Sequence, residues 1–250
     1  MDRDKLVSYI NRFLKIDEFD DLGPNGLQVE GKAEIKKIVT GVTACVELFE
    51  KALAQNADAI IVHHGIIWNF ERPIYRGSYK KRVKLLLEND LNLLAYHLPL
   101  DAHEIVGNNI QIAKQLEMLD IEPFGDYKGM TIGFSGDVEP VSSKKFFNRI
   151  RTLINENALI FPFGPEKIKS VGIISGAGQK EIQQAVLKGL DVFITGEVSE
   201  HIMHYAREEG IHFVAAGHYA TERYGIIALS RHLKSKFNID VEFIDIPNPV

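Results

Sequence analysis

The sequence predicts an α/β fold with largely parallel sheets, and three observations carry that prediction. Short, almost continuous apolar runs of strand length recur along the chain, such as Ala59-Ile60-Ile61-Val62, Leu93-Leu94-Ala95-Tyr96 and Phe213-Val214-Ala215-Ala216. Such runs fit strands buried on both faces, as in parallel sheets. Amphipathic helical windows separate them, which is the alternation of successive βα units. The length, 250 residues, exceeds the usual single-domain size, so two modest domains or one large one are expected.

The opening helix places Leu6, Ile10, Phe13 and Leu14 on one face. It stops before Asp20-Asp21-Leu22-Gly23-Pro24-Asn25-Gly26, a loop dense in turn residues. A strand is expected at 38–42, a helix at 46–55, a strand at 59–62, a helix at 79–88, a strand at 91–96 and a helix at 108–118. The stretch 121–129, Ile-Glu-Pro-Phe-Gly-Asp-Tyr-Lys-Gly, is the best candidate boundary. Beyond it a second alternation runs through strands at 131–134, 158–161, 170–175, 192–195 and 213–216, with helices at 143–154, 180–188 and 200–208. A long helix at 219–236 precedes a last strand at 241–245, and Pro247 and Pro249 follow.

Hydrophobic content of 45% supports a packed core, and 25% charged residues is ordinary for a soluble globular protein. The formal net charge of −5 disfavours a nucleic-acid binder, which usually carries a basic face. Lys80-Lys81-Arg82 and Lys144-Lys145 read as solvated helix faces. The single cysteine, Cys45, removes any intrachain disulfide and any multi-cysteine metal site, and reads as a buried small hydrophobe. The start Met1-Asp2-Arg3-Asp4-Lys5 lacks the apolar stretch of a signal peptide, and no apolar run approaches membrane-spanning length, so a cytoplasmic location is expected.

Metal-ligand residue types gather at the carboxyl ends of the apolar runs. His63 and His64 close the first run, His97 and Asp101 follow the second, and His218 and Glu222 follow the third. Alone, each has an ordinary explanation. Adjacent histidines on a regular strand point to opposite faces, although Gly65 lets the backbone turn there. Asp101 reads as a helix cap, with Pro99 expected to hold the span 97–101 as an extended turn. His218 and Glu222, at i,i+4, read as a surface pair. Their joint occurrence changes the reading, because parallel topology brings strand ends to one edge, where binding crevices form. Imidazole and carboxylate suit borderline and hard divalent ions. A dinuclear site is favoured, since a carboxylate such as Glu222 can bridge two ions.

Weaker candidates surround these. Glu197, in Thr195-Gly196-Glu197, also ends an apolar strand. His201 and His204 lie at i,i+3 in the following helix. Ser175-Gly176-Ala177-Gly178 sits where a phosphate cradle would, but Glu181 stands where a dinucleotide fingerprint wants glycine. The loop from Trp68 to Gly77 offers Trp68, Phe70, Arg72 and Arg76 for stacking or phosphate clamping, or for packing on its own domain. There is no Ser nucleophile elbow, no P-loop and no His-Glu-x-x-His helix.

Taken in order, His63-His64-Gly65, His97-Leu-Pro-Leu-Asp101, Asn108-Asn109, Thr195-Gly196-Glu197 and Gly217-His218-Tyr219-Ala220-Thr221-Glu222 resemble the GTP cyclohydrolase I type 2 / NIF-three-like family. Gly26-Leu27-Gln28-Val29 fits too, so the resemblance covers most of the chain. It implies two α/β domains, residues 1–125 plus 220–250 and residues 126–219, with the C-terminal helix and strand returning to the first. It implies a toroidal homohexamer with two divalent ions per subunit, of which iron, manganese, zinc and nickel are all candidates. His63, His64, Asp101, His218 and Glu222 would be the direct ligands, Glu222 bridging, with His97 close by as an outer-shell partner or base. Where family members often carry a second histidine, Ile202 follows His201, which argues against a catalytic His201.

The activity implied by the resemblance is metal-dependent hydrolysis: attack of water at C8 of the guanine ring of GTP, ring opening and loss of formate. His97 or Glu197 would move the protons, and a loop residue such as Arg72 would meet the triphosphate. A non-enzymatic or regulatory metal-binding assembly is the rival reading, and a dinuclear nucleotide phosphoesterase a third, because fold and metal site host many reactions.

Overall fold

The continuous apolar runs become the inner strands of two sheets, buried on both faces. The computed structural model describes residues 1–72 and 74–250. It forms two compact units, Met1–Leu100 with Ile226–Ile246, and Asp101–Gly225 with Pro247–Val250. The expected α/β class holds, with a sheet in each unit.

The first unit runs α1 (Arg3–Phe13), β1 (Gly26–Val29), β2 (Lys37–Thr43), α2 (Val46–Ala54), β3 (Ala59–His64), α3 (Gly77–Glu88), β4 (Asn92–Ala95). Its sheet has the order β1-β4-β3-β2-β11, where β11 (Asp240–Phe243) comes from the end of the chain and pairs in parallel with β2. The central strands are parallel and β1 joins antiparallel to β4. Alternation splits each inner strand between two layers. Val39, Ile60, Val62 and Leu93 pack on Leu48, Phe49 and Ala52 of α2 and Leu86 of α3. Ile38, Ile61 and Leu94 are also fully buried, as are Leu6 and Ile10 of α1 and Leu229 and Leu233 of the long helix α9 (His218–Phe237). The final helix and strand thus return to the first sheet.

The second unit contains α4 (Leu98–Ala102), which spans the division, α5 (Asn108–Gln115), β5 (Leu119–Tyr127), β6 (Met130–Ser142), α6 (Ser143–Leu153), β7 (Leu159–Pro162), β8 (Lys167–Ile173), α7 (Ile182–Lys188), β9 (Val192–Thr195), α8 (Ile202–Glu209) and β10 (His212–Ala215). Its sheet order is β5-β6-β8-β9-β10-β7. A parallel centre, β8-β9-β10, is flanked by antiparallel β6 and β7. Ile112 of α5, Leu116 directly after it, and Phe146 and Ile150 of α6 pack on Val171, Ile173, Val192, Ile194 and Val214. Each fully buried large side chain contributes roughly 1.5–3 kcal/mol, against about 1 kcal/mol for a typical hydrogen bond. Apolar burial therefore makes the sheets, and polar contacts at their ends set register and shape the site.

Two local expectations are corrected. Residues 121–129, read as a boundary, are the body of β5, paired antiparallel to β6. The span after His97 is helical, not extended: α4 includes Pro99 as its second residue. Proline is tolerated in a helix's first turn because the missing N–H has no intrahelical partner to lose.

Candidate metal centre

In the first unit, register places the histidines together. Thr43 pairs with His64 and Val62 with Ala95, so β2, β3 and β4 end at one edge. His63 is fully buried, and the candidate ligand atoms of His63, His64 and His97 all lie within 4.8 Å of one another. The rings of His63 and His64 are centred 4.7 Å apart, and those of His63 and His97 5.1 Å apart.

What holds these rings decides what they can bind. His63 Nδ1 lies 2.9 Å from the Tyr96 carbonyl oxygen, which only accepts, so Nδ1 carries the proton and Nε2 the lone pair. His64 Nδ1 lies 3.1 Å from Thr43 Oγ1. His97 Nδ1 donates to Asp21 Oδ1 at 2.7 Å. Imidazoles that bind metal through one nitrogen almost always tie the other to a carbonyl, carboxylate or water. Here the outer tie is at Nδ1 in all three. Trp68 packs its ring against His97 edge-on, centroids 5.2 Å apart, and Phe70 stacks on Trp68. Pro73, inside that loop, lies outside the described residues.

In the second unit, β8, β9 and β10 end together by the same logic, with Ile173 beside Ile194 and Thr195 beside Ala215. Asp101 is buried, and its Oδ1 accepts from Asn108 Nδ2 at 2.8 Å and Ser175 Oγ at 2.7 Å. Asn109 braces the same corner, donating to the Asp101 and Ile132 carbonyls and accepting from the Ser175 N–H. His218 opens α9, with Glu222 one turn on. Their Nε2 and Oε2 are 2.9 Å apart, while Glu197 Oε1 takes His218 Nδ1 at 2.7 Å. Burial works against a charged imidazole here, but the Glu222 and Glu197 carboxylates outweigh it and push the His218 pKa up to about 9. The corner favours positive charge, which is what a cation site requires.

Two glycines are needed for this geometry. Gly176 has φ +63°, and a Cβ there would run into Glu222 Oε1. At Gly196 a Cβ would lie 2.7 Å from the His218 Cα, so a side chain would displace the start of α9. The Ser175–Gly178 turn is thus occupied in bracing the acidic corner: Ser175 donates to Asp101, and the Gly176 carbonyl accepts from the N–H groups of Gly196 and Glu197.

Sequence reasoning missed the supporting residues. Asp21 and Asn25 read only as turn formers, yet Asp21 is buried and Asn25 Oδ1 accepts the His97 N–H at 2.8 Å. Burial raises the Asp21 pKa, but the bonds from His97, Asn25 and the Leu22 N–H outweigh this and hold it below the usual carboxylate range. The available signal was the short spacing of Asp21 and Asn25 beside two glycines and a proline. His201 and His204 are both exposed.

A family profile described as Duf34/NIF3 (NGG1p interacting factor 3) matches residues 1–249. The chain belongs to the Duf34/NIF3 family. It is 50% identical over 247 residues to a Haemophilus influenzae protein called GTP cyclohydrolase 1 type 2 homolog, covering 98% of each chain. The solved structure of protein ybgI, described as of unknown function, superposes with TM-score 0.93 at 46% identity over all of both chains. A structure from Thermus thermophilus follows at TM-score 0.92 and 35% identity, again covering 100% of each. The sequence motifs of the Duf34/NIF3 family therefore identified it correctly. Among the described residues, no helix is long and apolar enough to cross a membrane.

Proposed function

We propose that this Duf34/NIF3 chain is a dinuclear-metal-dependent hydrolase acting on a nucleotide, with opening of the guanine ring of GTP as the leading reaction. The observation that carries the reading is the set of imidazoles with Nδ1 tied behind them: His63 to a carbonyl, His64 to a hydroxyl and His97 to a carboxylate. His63 and His64 fit a borderline divalent ion through Nε2, and carboxylates such as Asp101 and Glu222 are the hard oxygen donors that such an ion also takes. By the family resemblance, His63, His64, Asp101, His218 and Glu222 would hold the ions. Two such ions, when bound, lower the pKa of water and polarise an electrophilic carbon or phosphorus.

The chain's own groups do the rest. His97 takes the proton of the attacking water as its oxygen bonds to the substrate, and returns it to the leaving atom. Glu197 orients His218 through Nδ1 and stands as the second proton carrier. Arg72, exposed on the loop after Trp68, meets phosphate. A cytoplasmic homohexamer is the setting carried by the family resemblance.

The test is to load the purified chain with iron, manganese, zinc or nickel in turn. Formate release from GTP is then followed beside a panel of phosphoesters, with metal content measured on the same samples. Turnover by one metal form, lost together with bound metal in His64→Ala, is the expected result. If no metal form turns over any nucleotide while metal still binds stoichiometrically, the hydrolase reading falls and a non-catalytic metal-binding role takes its place. Phosphoester cleavage without formate would move the reaction to phosphorus.

A further inference from the structure

Asp21 has more donors aimed at it than a loop capping residue needs. Oδ1 accepts from the Leu22 N–H at 2.6 Å and from His97 Nδ1, and Oδ2 accepts from Asn25 Nδ2 at 2.8 Å and from the Leu98 N–H at 2.9 Å. Its side chain is 2% exposed, and that of His97 17%. Two of these donors are backbone groups far apart in the chain: Leu22 in the loop after α1, and Leu98 at the start of α4. The carboxylate therefore fastens the loop to the turn after β4, while Asn25 holds the backbone N–H of His97 itself at 2.8 Å. Main chain and ring of His97 are gripped by one loop, from residues 72 and 76 positions earlier in the chain.

We propose that Asp21 is the positioning residue for His97, fixing the neutral ring as the Nδ1–H tautomer so that the Nε2 lone pair is presented on the side of His63 and His64. The functional reading above is where this orientation would be used, and the inference rests on that reading only for its catalytic consequence. Nothing but a carboxylate serves all four donors. An asparagine at 21 would have one oxygen and one NH₂, and the NH₂ must face a donor wherever it lies. At the Oδ1 position it opposes the Leu22 N–H and drives His97 to accept at Nδ1, which moves the ring proton to Nε2. At the Oδ2 position it opposes the Leu98 N–H and the Asn25 amide, and turning that amide removes the acceptor for the His97 N–H. The first arrangement gives up one backbone bond and the second gives up two, so the tautomer change is the expected response. Wrong-tautomer histidine loses base function even where the geometry persists.

The tautomer can be read directly from the ring nitrogens of ¹⁵N-histidine-labelled full-length chain, at a pH where His97 is neutral, with and without zinc as a diamagnetic ion. His97→Gln assigns the His97 signals among the nine histidines. In the wild type, Nδ1 is expected as the protonated, pyrrole-like nitrogen and Nε2 as the unprotonated one. In Asp21→Asn the pattern is expected to invert or become mixed. If turnover has been found, Asp21→Asn should lower kcat by about 10²–10⁴-fold, the usual worth of a general base, with KM little changed and no further loss when combined with His97→Gln. A wild-type His97 protonated at Nε2 would overturn the inference, even if the variant does not fold. So would a folded Asp21→Asn that keeps the wild-type pattern. The wild-type pattern with no turnover by any metal form would leave the positioning role standing and remove the hydrolase reading, so the two fail separately.

Discussion

The two units are built on one plan and diverge at the carboxyl ends of their parallel strands. In the first, the strand order β1-β4-β3-β2 has an antiparallel edge strand beside three parallel ones; in the second, β7-β10-β9-β8 repeats it. Each set follows a helix, α1 or α6, and each middle pair of strands is joined through a helix. The polar contacts at the amino ends repeat too. Asp58 Oδ2 accepts the N–H groups of Lys36 and Lys37, and Asp191 Oδ2 those of Lys169 and Ser170. Asn92 accepts from the Gly31 N–H and donates to the Lys32 carbonyl, where His212 accepts from Gly164 and donates to Pro165. Two copies of one ancestral half account for this correspondence more simply than independent arrival at the same bonds.

At the carboxyl ends the copies part company. Both place a histidine beyond the last parallel strand with Nδ1 held by a carboxylate at 2.7 Å, His97 by Asp21 and His218 by Glu197. The first copy adds further imidazoles tied from behind at Nδ1. The second adds acids, Asp101 and Glu222, held by hydroxyl and amide donors or by glycine-lined space. The carboxyl ends therefore differ in chemistry, imidazole-rich in one unit and acidic in the other, while the amino ends keep the shared scaffold. Substitutions at the carboxyl ends should separate the copies, and substitutions at the amino ends should show how alike they are.

The largest effect is expected at Gly176. Counting five residues along from the paired positions Ile38 and Val171, Gly176 stands where the first copy has Thr43. Thr43 is an ordinary strand residue, whereas Gly176 sits at φ +63° against Glu222. Gly176→Val should cost about 1–3 kcal/mol for the left-handed backbone and about 1–3 kcal/mol more for overpacking. Thr43→Val should change stability by under about 1 kcal/mol, since the bond lost is an exposed one. Denaturant titration of both variants checks this, and equal losses would remove the asymmetry.

Asp58 carries the next effect. Burial raises its pKa, but Lys32 at 2.8 Å and the two backbone N–H groups outweigh this, so the carboxyl titrates below its ordinary value. A depressed folded pKa means stability that is present above the unfolded value, about 3.9, and lost as pH falls through the folded one. Asp58→Asn should lose about 1.5–3 kcal/mol at neutral pH, the usual worth of bonds to a charged group, with the difference from wild type closing in acid. Stability measured against pH for the two proteins decides it; a gap that stays constant down to acid pH would mean the charge is not what matters.

How far the sequence could be read follows from the same contrast. The inner parallel strands were legible because burial on both faces makes them continuous apolar runs. β5 was not: most of it is exposed or half-exposed, it contains Pro123 and Gly125, and it is held by pairing to β6 along an outer edge. β1 was hidden likewise in a loop of turn residues. Among the candidate ligands, His63, His64, Asp101, His218 and Glu222 stood out in the sequence because each follows an apolar run. Asp21 did not, because its role depends on a partner 76 residues away that no local pattern connects to it. Residues that position others are visible only once the chain is folded.

The smallest expected effect is the most direct trial of the shared plan. His212 is buried, accepts at Nδ1 from the Gly164 N–H and donates from Nε2 to Pro165, so it is held neutral. Burial lowers its pKa, outweighing the carbonyl of Pro165 and the nearby Asp191. The unfolded chain therefore takes up this proton first, and stability falls as pH drops below about 6.5, the unperturbed histidine value. Asn92 makes the equivalent pair of bonds in the first copy with an amide that does not titrate. His212→Asn should retain both bonds, cost under about 1 kcal/mol at pH 8, and flatten the wild-type decline between pH 7 and pH 5. A large loss at pH 8 would show that packing of the ring against Phe147, centroids 5.1 Å apart, matters more than the bonds the two copies share.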